Sequence, residues 1–70
     1  MTRIEQEAQM VNLELPEALA EELDGTMSSV LSDMSSEIAD TDNPAYRKQL
    51  QARRERLRDL QDRLSTARRT

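Results

Sequence analysis

Apolar residues in the second half of the chain recur at alternating spacings of three and four. Tyr46, Leu50, Leu57, Leu60, Leu64 and Ala67 form the series, and Arg53 is its one interruption. This is a heptad pattern, with Leu50, Leu57 and Leu64 at one repeat position and Tyr46, Arg53, Leu60 and Ala67 at the other. Asn43 is a good N-cap, and Pro44 suits the first helical position, where its missing N–H costs nothing. No Gly or Pro occurs from 45 to 70, and Arg, Gln, Leu and Ala are good helix formers. The pattern predicts one helix over 44–68, with Tyr46, Leu50, Leu57, Leu60 and Leu64 as the seam that faces its neighbour.

A second periodic run precedes it. Pro16 marks a first turn, and Glu17, Glu21 and Glu22 favour the positive end of the helix dipole. Leu19, Ala20, Leu23, Met27, Val30, Leu31, Met34 and Ile38 then make a broad stripe. Gly25 is a soft spot, since Gly costs up to about 1 kcal/mol against Ala in a helix interior. The stripe stays in register through it, so one helix is expected over 16–39. The turn-rich Asp40-Thr41-Asp42-Asn43 ends it before Pro44. Two helices, each about 36 Å long at ~1.5 Å per residue, joined by a turn over 40–43, pack as antiparallel neighbours. The expected fold is all-α: one coiled-coil-like helical hairpin. The segment 1–15 reads two ways. Thr2 and Glu5 have capping-box spacing with Ile4, Ala8 and Val11 on one face, whereas Val11, Leu13 and Leu15 alternate with Asn12 and Glu14 as in a strand. A short helix or a flexible segment is expected there.

Charge sharpens this picture. The net charge of −4 hides a division along the chain. Residues 1–42 hold one basic residue against eleven acids, and residues 43–70 hold nine against three. The positions flanking the later seam include Arg47, Arg54, Arg56, Arg63 and Arg68, and none is acidic. Two copies of that helix zipped side by side would set like charges together, so the flanks call for an acidic partner. The earlier helix supplies one. With the turn near residue 42, Asp40 comes toward Arg47, Asp33 toward Arg53 or Arg54, and Asp24 toward Arg63. Exposed pairs contribute only about 0–1 kcal/mol each, so they choose register more than they add stability.

Composition removes most chemistries. A chain of 70 residues buries too small a fraction of its surface to be comfortably stable alone. With no Cys and no His there is no disulfide, no thiolate or imidazole metal ligand and no Ser–His or Cys–His nucleophile pair. No catalytic residue, cofactor or metal site is expected; the carboxylates that remain sit at helix ends and in the turn, where capping explains them. No apolar run approaches the ~20 residues that cross a bilayer. Met1 to Met10 carry Arg3, Glu5 and Glu7 and no apolar signal core, so the expected address is cytoplasmic.

What remains is a partner chain. The later helix has a narrow seam suited to one neighbour, while Leu19, Leu31 and Ile38 widen the earlier stripe enough for two. Leu19, Leu23, Met27, Val30, Leu31, Met34 and Ile38 are therefore the expected partner-binding face. Met27 and Met34 suit it as adaptable side chains, although both are equally ordinary core fillers.

The chain resembles the small YscE-like cochaperones of type III secretion systems. The resemblance lies in its length, the Met1-Thr2-Arg3-Ile4-Glu5 opening, two comparable helices, and Asp42-Asn43-Pro44-Ala45-Tyr46 leading into the second. It implies a helical hairpin that pairs with a tetratricopeptide-like cochaperone and keeps a needle subunit soluble in the bacterial cytoplasm before export. The Arg-rich second helix departs from that family. Self-association is the other way to cover the stripe. The alternatives are another helical adaptor subunit, or a DNA-associated regulator or antitoxin, since Val11-Asn12-Leu13-Glu14-Leu15-Pro16-Glu17 looks like the strand-to-helix entry of ribbon-helix-helix proteins. Glu14 on the strand face would be repelled by phosphate, and the acidic first half opposes nucleic acid as well.

Overall fold

The computed structural model describes residues 10–69, and they form two α-helices and no strand. Helix α1 runs Glu17–Asp40 and helix α2 runs Pro44–Arg69, packed against each other as a hairpin. The expected short helix at the start of the chain falls on residues outside the described ones, apart from 10–15, which are not helical. Val11 to Leu15 form no strand.

Local chemistry sets each boundary. Pro16 stands just before α1 in an extended conformation (φ −57°, ψ 152°), and its carbonyl accepts from the amides of Leu19 and Ala20 at 3.0 Å each. Gly25 lies inside α1 without a positive φ, so the helix passes through the soft spot unbroken. At the other end the Thr41 amide donates back to the Glu37 carbonyl at 3.0 Å, and the Thr41 hydroxyl accepts from the Asn43 amide at 3.2 Å. Asn43 is the N-cap of α2. Its Oδ1 takes the amides of Ala45 and Tyr46 at 3.0 and 3.2 Å, satisfying donors that the first turn leaves unpaired.

The core is thin. Ala20, Met27, Met34 and Ile38 of α1 and Leu50 of α2 are buried, and among the described residues no side chain is completely enclosed. Met34, Ile38 and Leu50 form its densest cluster, with Val30 and Leu57 against it, near the turn. A single layer between two helices cannot do more, because each helix has only one covered side.

Candidate interaction surface

The face that α2 turns to α1 is not the one its apolar residues suggest. Arg47, Leu50, Arg54, Leu57, Gln61 and Leu64 are the covered or half-covered positions, while Tyr46, Arg53 and Leu60 are exposed. The Leu50, Leu57, Leu64 row lies in the seam as expected. Its companion row is Arg47, Arg54, Gln61 and Arg68, one residue along from Tyr46, Arg53, Leu60 and Ala67. The hairpin seam is thus corrected at Tyr46 and Leu60, which lie on its outer edge.

Polar side chains take that inner position because α1 offers each one an acceptor. Arg47 donates through Nε to the Ile38 carbonyl at 3.2 Å and through a second nitrogen to the Thr41 carbonyl. α1 has no basic residue in its last turn, so Arg47 supplies from α2 the cation that the negative end of the dipole favours. Arg54 donates to Ser35 Oγ at 3.3 Å. Gln61 Nε2 bridges Asp24 Oδ1 and Ser28 Oγ at 3.0 and 2.9 Å. Arg68 closes the open end on Glu17 at 2.6 Å and Asp24 at 3.5 Å. The hydrogen bonds that the Arg68 guanidinium donates to the Glu17 carboxylate hold it above its ordinary pKa. The donors are spaced by seven along α2, and Glu17, Asp24, Ser28 and Ser35 answer them with heptad-related spacings along α1. The ladder selects one antiparallel register, because a slip of one turn would leave every donor opposite the wrong group.

These pairings replace the expected ones. Asp24 meets Arg68 and Gln61 rather than Arg63, which pairs within its own helix with Asp59 at 3.2 Å. Arg47 reaches main-chain carbonyls rather than Asp40. Arg54 takes Ser35 rather than Asp33, and its Nε is buried without an acceptor.

With one flank of the hairpin closed by this ladder, the opposite flank is left apolar and open. From α1 it receives Leu19, Leu23 and Val30; from α2 it receives Tyr46 and Leu60. Leu19, Tyr46 and Leu60 are 55%, 40% and 47% exposed. A groove along the flank runs between Val30 and Leu50, with Asp33 and Glu37 on one bank and Tyr46 and Arg53 on the other. The Tyr46 hydroxyl donates across it to Glu37 at 3.3 Å. At the open end, Leu13 and Leu15 line a second hollow with Ala20, Leu64 and Ala67.

The expected partner-binding residues are therefore divided. Leu19, Leu23 and Val30 lie on the open flank, and Leu31 is half-buried toward the polar side. Met27, Met34 and Ile38 are consumed by the hairpin's own core, so they are corrected from partner face to core. Ile38, expected to widen the stripe, instead packs with Met34 and Leu50 in the core cluster. The exposed Tyr46 and Leu60 belong with Leu19, Leu23 and Val30. The signal that identifies them is the polar heptad row beside them, which outcompetes them for the seam.

The molecule is an all-α antiparallel helical hairpin with one hydrogen-bonded flank and one apolar flank. Comparison with protein-family models, curated proteins and solved structures finds no match to the chain. Among the described residues no helix is long and apolar enough to cross a membrane, and no group of three or more acidic residues could hold a metal ion.

Proposed function

We propose that the protein is a small interaction subunit that works by laying its apolar flank on a helical partner. The single observation behind this reading is the placement of Tyr46 and Leu60. Full burial of such a side chain contributes about 1.5–3 kcal/mol, which the hairpin by itself leaves unrealised at both positions. Instead the seam accepts arginine and glutamine, and the apolar row stays outside. An apolar face of this kind, rimmed by charge, marks an interaction site. The resemblance to YscE-like cochaperones gives the partner: a tetratricopeptide-like cochaperone, together with which the hairpin keeps a needle subunit soluble in the bacterial cytoplasm before type III export. Nucleic acid fits less well, because Arg47, Arg54 and Arg68 already donate to α1.

Co-expression with a tetratricopeptide-like cochaperone and a helical needle-type subunit tests this. The expected result is a soluble three-component complex that Leu19→Asp and Leu60→Asp abolish while helix content in the free chain is unchanged. A complex indifferent to both substitutions, or none at all, would refute the reading.

A further inference from the structure

The apolar flank carries acidic side chains on its α1 side and arginines on its α2 side. On the α1 side stand Asp33 and Glu37; on the α2 side stand Arg53, in the row of Tyr46 and Leu60, and Arg56 farther out. Among the described residues Asp33, Arg53 and Arg56 form no ion pair, and Asp33 and Arg53 line the same groove at the same level. The apolar side chains are unevenly placed too. Leu19, Leu23, Leu60 and Leu64 belong to the open-end half, where Asp24 meets Gln61 and Glu17 meets Arg68. Tyr46, Glu37 and the rim charges lie toward the turn.

We infer that two copies stack flank to flank about a two-fold axis parallel to the helices. That axis sets α1 of each copy over α2 of the other and keeps levels aligned. Asp33 of one copy then lies over Arg53 of the second, twice by symmetry, and the leucine-rich ends meet each other. The other face-to-face two-fold, perpendicular to the helices, fails on both counts. It puts the acidic edge over the acidic edge and the leucines over the charged turn end, and like-charge juxtaposition opposes association. The product is an antiparallel four-helix bundle, in which the hairpin's thin core gains a second layer.

The available area is sufficient. A face about 36 Å long and ~18 Å wide covers roughly 650 Å² per copy, or about 1,300 Å² in total, within the range of specific interfaces. This inference rests on the flank being an interaction surface and adds that the free chain covers it by pairing with itself, so that a partner must displace one copy from the other.

Sedimentation equilibrium of the full chain should give a dimer at tens of micromolar, about the concentration at which a Kd in the low micromolar range saturates. Leu60→Asp should raise Kd at least ~100-fold, since each dimer carries the change twice. Its circular dichroism should match the native chain, because Leu60 is exposed in the hairpin. Asp33→Arg should weaken the dimer and Asp33→Arg combined with Arg53→Asp should restore it. The chain has no Cys, so a mixture of Asp33→Cys and Arg53→Cys chains should oxidise to a mixed disulfide dimer, with neither variant cross-linking to itself. A native chain that stays monomeric at about 100 µM, a dimer untouched by Leu60→Asp, or self-cross-linking of Asp33→Cys would each overturn the inference. A monomer that still forms a Leu60-dependent complex with a tetratricopeptide-like cochaperone overturns the pairing alone. Loss of that complex as well overturns the proposed function with it.

Discussion

Replacing Gly25 by alanine should stabilise the protein, and the size of the effect can be worked out from its surroundings. Gly25 lies within α1, at least two turns from either end, and its φ is negative. A Cβ built on it meets no heavy atom within 4 Å. Nothing in the folded chain therefore opposes a methyl group, and no left-handed conformation has to be given up. What remains is the helix-propensity difference, about 0.8–1.0 kcal/mol in favour of alanine, which acts largely through the freedom glycine retains in the unfolded chain. For a domain of about 60–100 residues, 1 kcal/mol corresponds to roughly 4–8 °C in Tm. Thermal and urea unfolding followed by far-ultraviolet circular dichroism should thus show a rise of several degrees with an unchanged urea m-value. Both proteins must be compared at one concentration, because self-association makes Tm concentration-dependent. The reverse change, Gly25→Pro, removes an interior helix amide and should cost about 3 kcal/mol, enough to unfold a hairpin with so thin a core. An unchanged or lowered Tm for Gly25→Ala would refute the reasoning, since it would mean that α1 breaks at this residue or that something rests against it.

Three further outcomes follow from the same geometry. Met34→Asp should abolish the cooperative unfolding transition, because the side chain is 7% exposed in the densest cluster and an unpaired charge would be buried there, whereas Leu60→Asp should leave helix content intact. Arg47→Met should lower stability by about 1–2 kcal/mol in urea unfolding, since two main-chain carbonyls at the end of α1 lose a charged donor. Arg54→Met should cost less than half as much, because it keeps the apolar stem and removes a buried Nε that has no acceptor. Arg68→Ala should leave the urea midpoint nearly unchanged, as Glu17 is largely exposed, and added salt should shrink even that small difference.

The hairpin itself was legible in the residues: the heptad of α2, the Asn43-Pro44 entry and the continuity through Gly25 each rest on local rules. The seam was not, and the reason is specific. A row of leucines at 50, 57 and 64 can take either neighbouring row as its companion, Tyr46-Arg53-Leu60-Ala67 or Arg47-Arg54-Gln61-Arg68. Hydrophobicity alone chooses the first. It counts what each row gains by leaving water and ignores what the facing helix can accept. Once Glu17, Asp24, Ser28 and Ser35 are set opposite, the balance reverses. Burying Tyr46 and Leu60 against that row would strip water from carboxylates and hydroxyls without replacing the bonds, and each such loss costs about 1–3 kcal/mol. The second row satisfies them and keeps Leu50, Leu57 and Leu64 covered. Matched polar heptads on two helices were thus the readable sign of the true seam. The same rotation that brings Arg54 and Gln61 inward carries Tyr46 and Leu60 outward, and the proposed interaction surface rests on that placement.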